Sequence, residues 1–109
     1  MTKYNNSKYN GYDSKKEARR ATELKLLEKA GEIRSLHEQV VYELIPAQYR
    51  VVGGKRRRVE RSMKYIADFQ YVDKSGNTVV EDAKGFRTEV YRIKKKLMLY
   101  FHDIQIKEV

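Results

Sequence analysis

The chain has 109 residues and carries 24 Lys and Arg against 15 Asp and Glu, a formal net charge of +9 at pH 7. This length supports one small domain with a single modest core. The absence of cysteine excludes disulfides, thiolate zinc sites and a cysteine nucleophile, and two histidines, His37 and His102, are too few for a histidine-rich metal site. No apolar run approaches the ~20 residues that span a bilayer, so we expect a soluble, intracellular protein without membrane contact. A field this positive concentrates polyanions, which makes nucleic acid the expected partner; the alternative is charge that serves solubility alone.

The chain is predicted to begin with a polar arm and a helix. Residues 1–12 are rich in Tyr, Asn and Lys without a hydrophobic period, so we expect a flexible arm before a single domain at 13–109. Ser14 can cap a helix, good helix formers follow, and Gly31 can end it in a left-handed conformation. These signals predict a helix over 14–30.

Strands are predicted next. Alternating apolar residues favour a strand at about 38–45 that ends at Pro46. Two short runs then flank Gly53-Gly54, which allows a tight reversal and places four cations at the tip of a basic hairpin loop. The runs are 49–52 and 59–63, and the four cations are Lys55, Arg56, Arg57 and Arg58. Residues 64–72 and 78–84, joined by a polar loop, are expected to be antiparallel neighbours in one sheet.

The last elements are a basic helix and a short strand. Four apolar residues recur at steps of three and four over 88–101 and predict an amphipathic helix whose stripe faces the core: Val90, Ile93, Leu97 and Phe101. A stripe that binds a partner helix is the alternative. The ending DIQIKEV alternates in the manner of a strand. The expected order is α-β-β-β-β-α-β, a mixed α/β (α+β) fold.

The most informative chemistry lies in the strand at 78–84, where Asp82 and Lys84 share one face. If its hairpin is centred on Ser75, Asp68 lies opposite Asp82. Like charges facing each other destabilise a sheet, and Mg²⁺, which prefers carboxylate and water oxygens, would explain the pair. Lys84 would then position the attacking water, or balance the charge that develops on phosphorus, in phosphodiester hydrolysis. The alternatives are a solvated Asp68 and an exposed Asp82–Lys84 ion pair.

A third acid, Glu17, lies on the same helix face as Ala21 and Leu24, near the helix start. It is expected either to point toward the metal or to complete a capping box with Ser14. Gln39 is expected to face solvent; the alternative is a hydrogen bond near the metal.

These residues carry a resemblance. The glutamate helix, the segment YIADFQY, and VVEDAKGFRTEVYRIKKKL resemble the PD-(D/E)XK nuclease superfamily, and more closely a small family of bacteriophage and prophage proteins assigned to it. The resemblance covers nearly the whole chain from Tyr12 onward. It implies a central mixed sheet flanked by helices and a protein, phage or prophage encoded, in the cytoplasm of a bacterial host.

The resemblance also implies roles for individual residues. Asp68 and Asp82 would be ligands of Mg²⁺ or Mn²⁺, Glu17 the helix acid and Lys84 the catalytic lysine. The sequence departs from the superfamily pattern in having Ala67 where a proline is usual and Glu81 beside Asp82. Strand parity favours Asp82 as the ligand, with Glu81 as the alternative.

The expected function is a metal-dependent DNA endonuclease that selects branched or nicked DNA, including Holliday junctions, and acts as a homodimer by analogy with junction resolvases. The alternative is a noncatalytic nucleic-acid-binding or regulatory phage protein. The candidate phosphate contacts are the four cations of the hairpin and a set beside or on the last helix: Arg87, Arg92, Lys94, Lys95 and Lys96. The tyrosines of the arm are expected to stack on unpaired bases. The alternative is an arm that takes no part in binding.

Overall fold

The computed structural model describes residues 11–84 and 86–109. In chain order the elements are α1 (Lys15–Lys29), β1 (Ile33–Ile45), β2 (Gln48–Val52), β3 (Lys55–Glu60), β4 (Met63–Asp73), β5 (Thr78–Asp82), α2 (Glu89–His102) and β6 (Lys107–Glu108). Both helices lie within one residue of their predicted bounds. Five strands separate them rather than the expected four, because the hairpin adds a strand of its own.

The main sheet has the strand order β1-β4-β5-β6. Its first three strands are antiparallel neighbours, whereas β6 runs parallel to β5. The fold is therefore mixed α+β, with a mixed sheet flanked by helices, as expected. Within the described part of the chain, neither helix combines the length and the apolar character needed to cross a membrane.

The β4–β5 hairpin has the predicted register. Phe69 pairs with Glu81 and Val72 with Thr78, so the hairpin is centred on Ser75. Asp73 holds the turn, because its Oδ1 accepts hydrogen bonds of 2.9 Å from the backbone N–H groups of Ser75 and Asn77. This side-chain turn explains why a polar loop of this composition folds back here.

The core consists of two clusters that share β4. One contains Tyr65 and Ala67 and lies against α2; the other contains Phe69 and Tyr71 and lies against α1. Tyr12, assigned to the arm from the sequence, packs on the second cluster. Residues 1–10 of the predicted arm lie outside the described residues.

The predicted core-facing stripe of α2 is wrong. Tyr91 and Met98 are the buried residues of this helix, and Leu97 packs partly against them. Val90, Ile93 and Phe101 remain 61%, 54% and 52% exposed. The helix is rotated so that Tyr91 can reach the end of the sheet, where its hydroxyl donates to Glu108 at 2.8 Å.

The predicted basic hairpin loop is also wrong in detail. Its turn consists of Gly53 and Gly54 alone, with φ of 59° and 78°, values that suit a two-residue turn and that glycine adopts without strain. The four cations from Lys55 to Arg58 lie along β3 and not in a loop. Their side chains therefore alternate between two faces of an exposed ribbon.

The C-terminal strand is shorter than expected. Asp103, with φ of 55°, ends α2, and Lys107–Glu108 alone pairs with β5. Ile104 and Ile106, expected within the strand, precede it and pack into the cluster beneath α2.

Candidate metal site and nucleic-acid surface

Asp68 and Asp82 come together where β4 and β5 stop pairing. The last described pair is Phe69 with Glu81, and one step further the same register brings Asp68 to Asp82. The Asp68 carboxylate accepts a 2.9 Å hydrogen bond from the N–H of Ala83. Burial, followed by the hydrogen bond with Asp82, raises the pKa of Asp68 well above its usual range. The carboxyl groups of Asp68 and Asp82 are therefore adjacent and largely shielded from solvent.

Asp82 is held from two sides. Its side chain is 2% exposed, and its Oδ2 accepts a 2.5 Å hydrogen bond from the hydroxyl of Tyr65. The same oxygen lies 3.4 Å from Nζ of Lys84. Burial, together with the bond to Asp82, raises the pKa of Tyr65, so its hydroxyl stays a donor. Asp82 is thus oriented and ion-paired.

Lys84 lies just beyond β5, which ends at Asp82 and not at residue 84 as predicted. Its ammonium group sits between Asp82 and the ring of Tyr91, 4.5 Å from the ring centroid. Its carbonyl accepts a 2.9 Å hydrogen bond from Nζ of Lys16, which links this end of the sheet to α1. The Lys84 side chain is 28% exposed, so a bound molecule can reach the ammonium.

Glu17 points inward and also starts its helix. Ser14 is the N-cap, and its hydroxyl accepts from the N–H of Glu17 at 3.0 Å. The Glu17 carboxylate is buried and accepts a 3.1 Å hydrogen bond from Nε2 of Gln39. Burial, then the charges of Asp13 and Asp82, raise its pKa. The side chain therefore points into the fold, where its described hydrogen bond is with Gln39.

Glu81 is committed elsewhere, although it is adjacent to Asp82. Both of its carboxylate oxygens bind Arg20, through Nε and Nη2, at 2.7 Å each, and Tyr71 donates a further hydrogen bond. Burial would raise the pKa of Glu81, but the hydrogen bonds from Arg20 and Tyr71 outweigh it and lower the pKa. Because alternate residues of a strand face opposite sides, Glu81 packs toward α1 while Asp82 faces Lys84.

The donor set suits a hard divalent cation. Mg²⁺ is bound by one or two carboxylates with water completing its shell, and Asp68 with Asp82 supplies that number. Among the residues that the structure describes, no three His, Asp or Glu side chains form a cluster close enough to hold a metal. Glu17 is therefore outside any such cluster of described residues, although its charge contributes to the raised pKa of Asp68.

The predicted phosphate contacts differ in availability. Every residue of β2 and β3 is exposed, and Arg50 pairs directly with Arg57, a like-charge contact that an anion would relieve. Arg56 stacks on Tyr49, 3.8 Å from its ring centroid. The hairpin thus presents cations and an aromatic ring on a free surface.

The cations near α2 are only partly free. Arg87 and Lys95 are ion-paired with Glu108 at 2.6 and 3.0 Å, and the hydrogen bond from Arg87 is the main reason that the pKa of Glu108 falls to about 2. Arg92 and Lys96 line an open cavity of about 400 Å³ beside them. Lys94 is half-buried on another side of the helix.

Sequence reasoning missed several residues that shape the site. Tyr65 could have been found, since it alternates with Ala67 and Phe69 on the buried positions of β4. Gln39 is exposed, as expected, but its Nε2 also donates to Glu17 at 3.1 Å, which agrees with the alternative of a hydrogen bond near the acids. Arg20 was not singled out in the sequence, because nothing local to α1 indicates its ion pair with Glu81.

Comparison with known proteins identifies a family for the chain but gives no function. No curated protein and no solved structure matches the chain. One family model matches it over residues 1–109, and its description is "Protein of unknown function (DUF1064)". Since the match spans the entire sequence, the chain belongs to the DUF1064 family.

Proposed function

We propose that this protein is a metal-dependent DNA endonuclease of phage type that hydrolyses phosphodiester bonds. The proposal is carried by the pair Asp68 and Asp82 with Lys84, whose ammonium lies 3.4 Å from the Asp82 carboxylate. Burying two adjacent acids is unfavourable for stability alone, and perturbed, clustered titratable groups of this kind are typical of functional sites. The resemblance to the PD-(D/E)XK nucleases, based on the same residues, supports it.

Asp68 and Asp82 would hold Mg²⁺ or Mn²⁺, with Glu17 as the third acid nearby. The ion would supply activation of water and neutralisation of the charge that develops on the phosphate. We assign the ligand role to Asp82 and not to Glu81, because Glu81 has both oxygens occupied by Arg20.

The side chains around the acids prepare this site before substrate arrives. The hydroxyl of Tyr65 and the N–H of Ala83 each fix one carboxylate, which reduces the reorganisation needed on binding. Lys84 is partly exposed, so its ammonium can donate a hydrogen bond to the attacking water or to a phosphate oxygen. The ring of Tyr91 limits where its ammonium can move.

The DNA-binding surface in this proposal is the hairpin of β2 and β3. Its cations contact phosphates, giving affinity that depends on salt and not on sequence. No motif of a sequence reader was found in the chain, so we propose selection by DNA structure, with branched or nicked DNA and Holliday junctions as substrates. This assigns the protein to recombination in the cytoplasm of a bacterial host carrying the phage or prophage.

A cleavage panel tests the proposal. Supercoiled plasmid, four-way junction, flap and single-stranded DNA are incubated with Mg²⁺, Mn²⁺ or EDTA and wild-type protein, Lys84→Ala or Lys74→Ala. Lys74 is the matched control, an exposed lysine that pairs with Glu32 at the opposite end of the β4–β5 hairpin. We expect metal-dependent cutting that Lys84→Ala abolishes and Lys74→Ala retains. Equal cutting by both variants would remove Lys84 from the mechanism.

A noncatalytic DNA-binding protein is the second candidate, and one observation favours it. Asp82 already has a cation and a hydroxyl donor, Lys84 and Tyr65, so its charge is compensated without a metal. On this reading the wild-type protein shifts each DNA of the panel in a gel but cuts none of them with either metal.

A further inference from the structure

An apolar face of α2 remains uncovered in the folded chain. Val90, Ile93 and Phe101 are each more than half exposed, Tyr100 is 81% exposed, and Phe86, in the segment before the helix, is 80% exposed. We call these five residues, together with the half-buried Leu97, the α2 stripe. Monomers rarely expose contiguous apolar patches larger than a few hundred Å².

The helical members of the α2 stripe lie on one side of the helix. At 100° per residue, positions 90, 93, 97, 100 and 101 fall within a sector of about 100°, the width of a stripe that normally faces a core. Tyr91 and Met98, which do face the core, lie on a different side of the helix. Leu99 lies on a third side, next to the cationic cavity that Arg92 and Lys96 line.

The α2 stripe is symmetric about Ile93. Val90 and Leu97 stand three residues before and four after it, and Tyr100 and Phe101 stand seven and eight after, while Phe86 precedes the helix. Two antiparallel copies of α2 related by a two-fold axis at Ile93 would therefore place Ile93 against Ile93 and bring Val90 of each copy within one residue, about 1.5 Å along the axis, of Leu97 of the other. A surface that complements itself in this way is what an isologous dimer requires.

The charges beside the stripe fit the same register. Glu89 and Lys96 are both exposed and lie seven residues apart, on one flank of the stripe. In antiparallel copies centred at Ile93, Glu89 of each protomer comes within one residue of Lys96 of the other, close enough for two ion pairs at the rim. This is the arrangement by which flanking charges set register and orientation between packed helices.

From these observations we propose that the α2 stripe is a homodimer interface, occupied by the same stripe of a second copy in antiparallel orientation. The area supports this occupant. Taking about 200 Å² per aromatic side chain and the observed exposures, the stripe offers on the order of 500 Å² of apolar surface. A stable interface buries about 800 Å² per partner, of which about 65% is apolar in homodimers, also near 500 Å².

The first test is the mass of the DNA-free protein in solution. Sedimentation equilibrium of the full chain is compared for wild type, Ile93→Asp and Leu99→Asp. Leu99, 50% exposed on another side of α2, is the matched control. We expect a wild-type dimer whose dissociation constant rises about 30-fold or more in Ile93→Asp and stays nearly unchanged in Leu99→Asp. A wild-type protein that is monomeric throughout the micromolar range would overturn the proposal, as would equal weakening by both variants.

A charge exchange tests the register with substitutions at exposed positions. Glu89→Lys and Lys96→Glu should each weaken the dimer at low salt, and the double variant should restore it, because the exchanged charges again face each other. Failure of the double variant to recover affinity would refute the antiparallel register centred on Ile93. Neither test involves DNA or metal, so its outcome is independent of whether the protein is a nuclease.

Discussion

Replacing Arg20 by alanine is expected to destabilise the protein strongly, because a buried carboxylate then loses its cation. Arg20 binds both oxygens of Glu81 at 2.7 Å, and the Glu81 side chain is completely buried. Breaking a buried ion pair by removing one partner costs about 3–5 kcal/mol. Tyr71 still donates to Glu81 and Lys107 lies 3.9 Å away, so we expect the lower end, about 3 kcal/mol.

The pH dependence of this loss follows from the lowered pKa of Glu81. A carboxyl group with a lowered pKa in the folded state contributes stability above its unfolded pKa and loses it as the pH falls. The difference between wild type and Arg20→Ala should therefore be largest near neutral pH and shrink in acid, below about pH 4.

Urea unfolding followed by circular dichroism measures the effect at pH 7 and in acid. Glu23→Ala is the control, because Glu23 pairs with Arg20 at 3.0 Å on the surface and its loss should cost less than about 1 kcal/mol. Adding Glu81→Gln to Arg20→Ala should recover part of the stability by removing the buried charge. If Arg20→Ala costs no more than Glu23→Ala at pH 7, the reasoning is wrong.

Three further outcomes are expected. Replacing the three consecutive arginines of β3, Arg56 to Arg58, by serine should weaken DNA binding in fluorescence anisotropy and make the slope of log affinity against log salt shallower by about 3; an unchanged slope would place the DNA elsewhere. Glu17→Gln should raise the free energy of unfolding at pH 7, since the raised pKa of Glu17 reports a disfavoured charge, and this gain should vanish in acid where both states are protonated. Mg²⁺ at 100 times its dissociation constant should raise the free energy of unfolding of the wild type by about 2.7 kcal/mol, measured by thermal denaturation, and should not change that of Asp82→Asn. Equal increases in the two proteins would argue against a metal site at Asp82.

The local elements of this fold were readable from the sequence because their signals are local. Ser14 and Gly31 bracket α1, and Asp73 with Gly76 sets a turn whose register follows from its length. That register predicted the meeting of Asp68 and Asp82. Side-chain alternation in β5 likewise separated Asp82 from Glu81 before any contact was known.

The sequence did not predict which face of α2 packs against the core, because the helix has two apolar faces. The stripe at Val90 and Ile93 has the regular helical spacing of a core face, yet Tyr91 and Met98 occupy the core. The bond from Tyr91 to Glu108 and the fit of Met98 beneath the sheet decide between the faces, and both involve residues distant in the chain.

Sequence alone determined the two helices, the β4–β5 register and the grouping of Asp68, Asp82 and Lys84, since these depend on helix caps, strand periodicity and one short turn. Tertiary structure decided which charged side chains are free to bind a ligand and which are occupied by ion pairs within the protein. Arg20 neutralises Glu81 across 61 residues of chain, and Glu108 occupies Arg87 and Lys95. Ion pairs of this kind depend on how helices cross a sheet, and the packing that sets those crossings is cooperative over the whole core, so no local pattern encodes it.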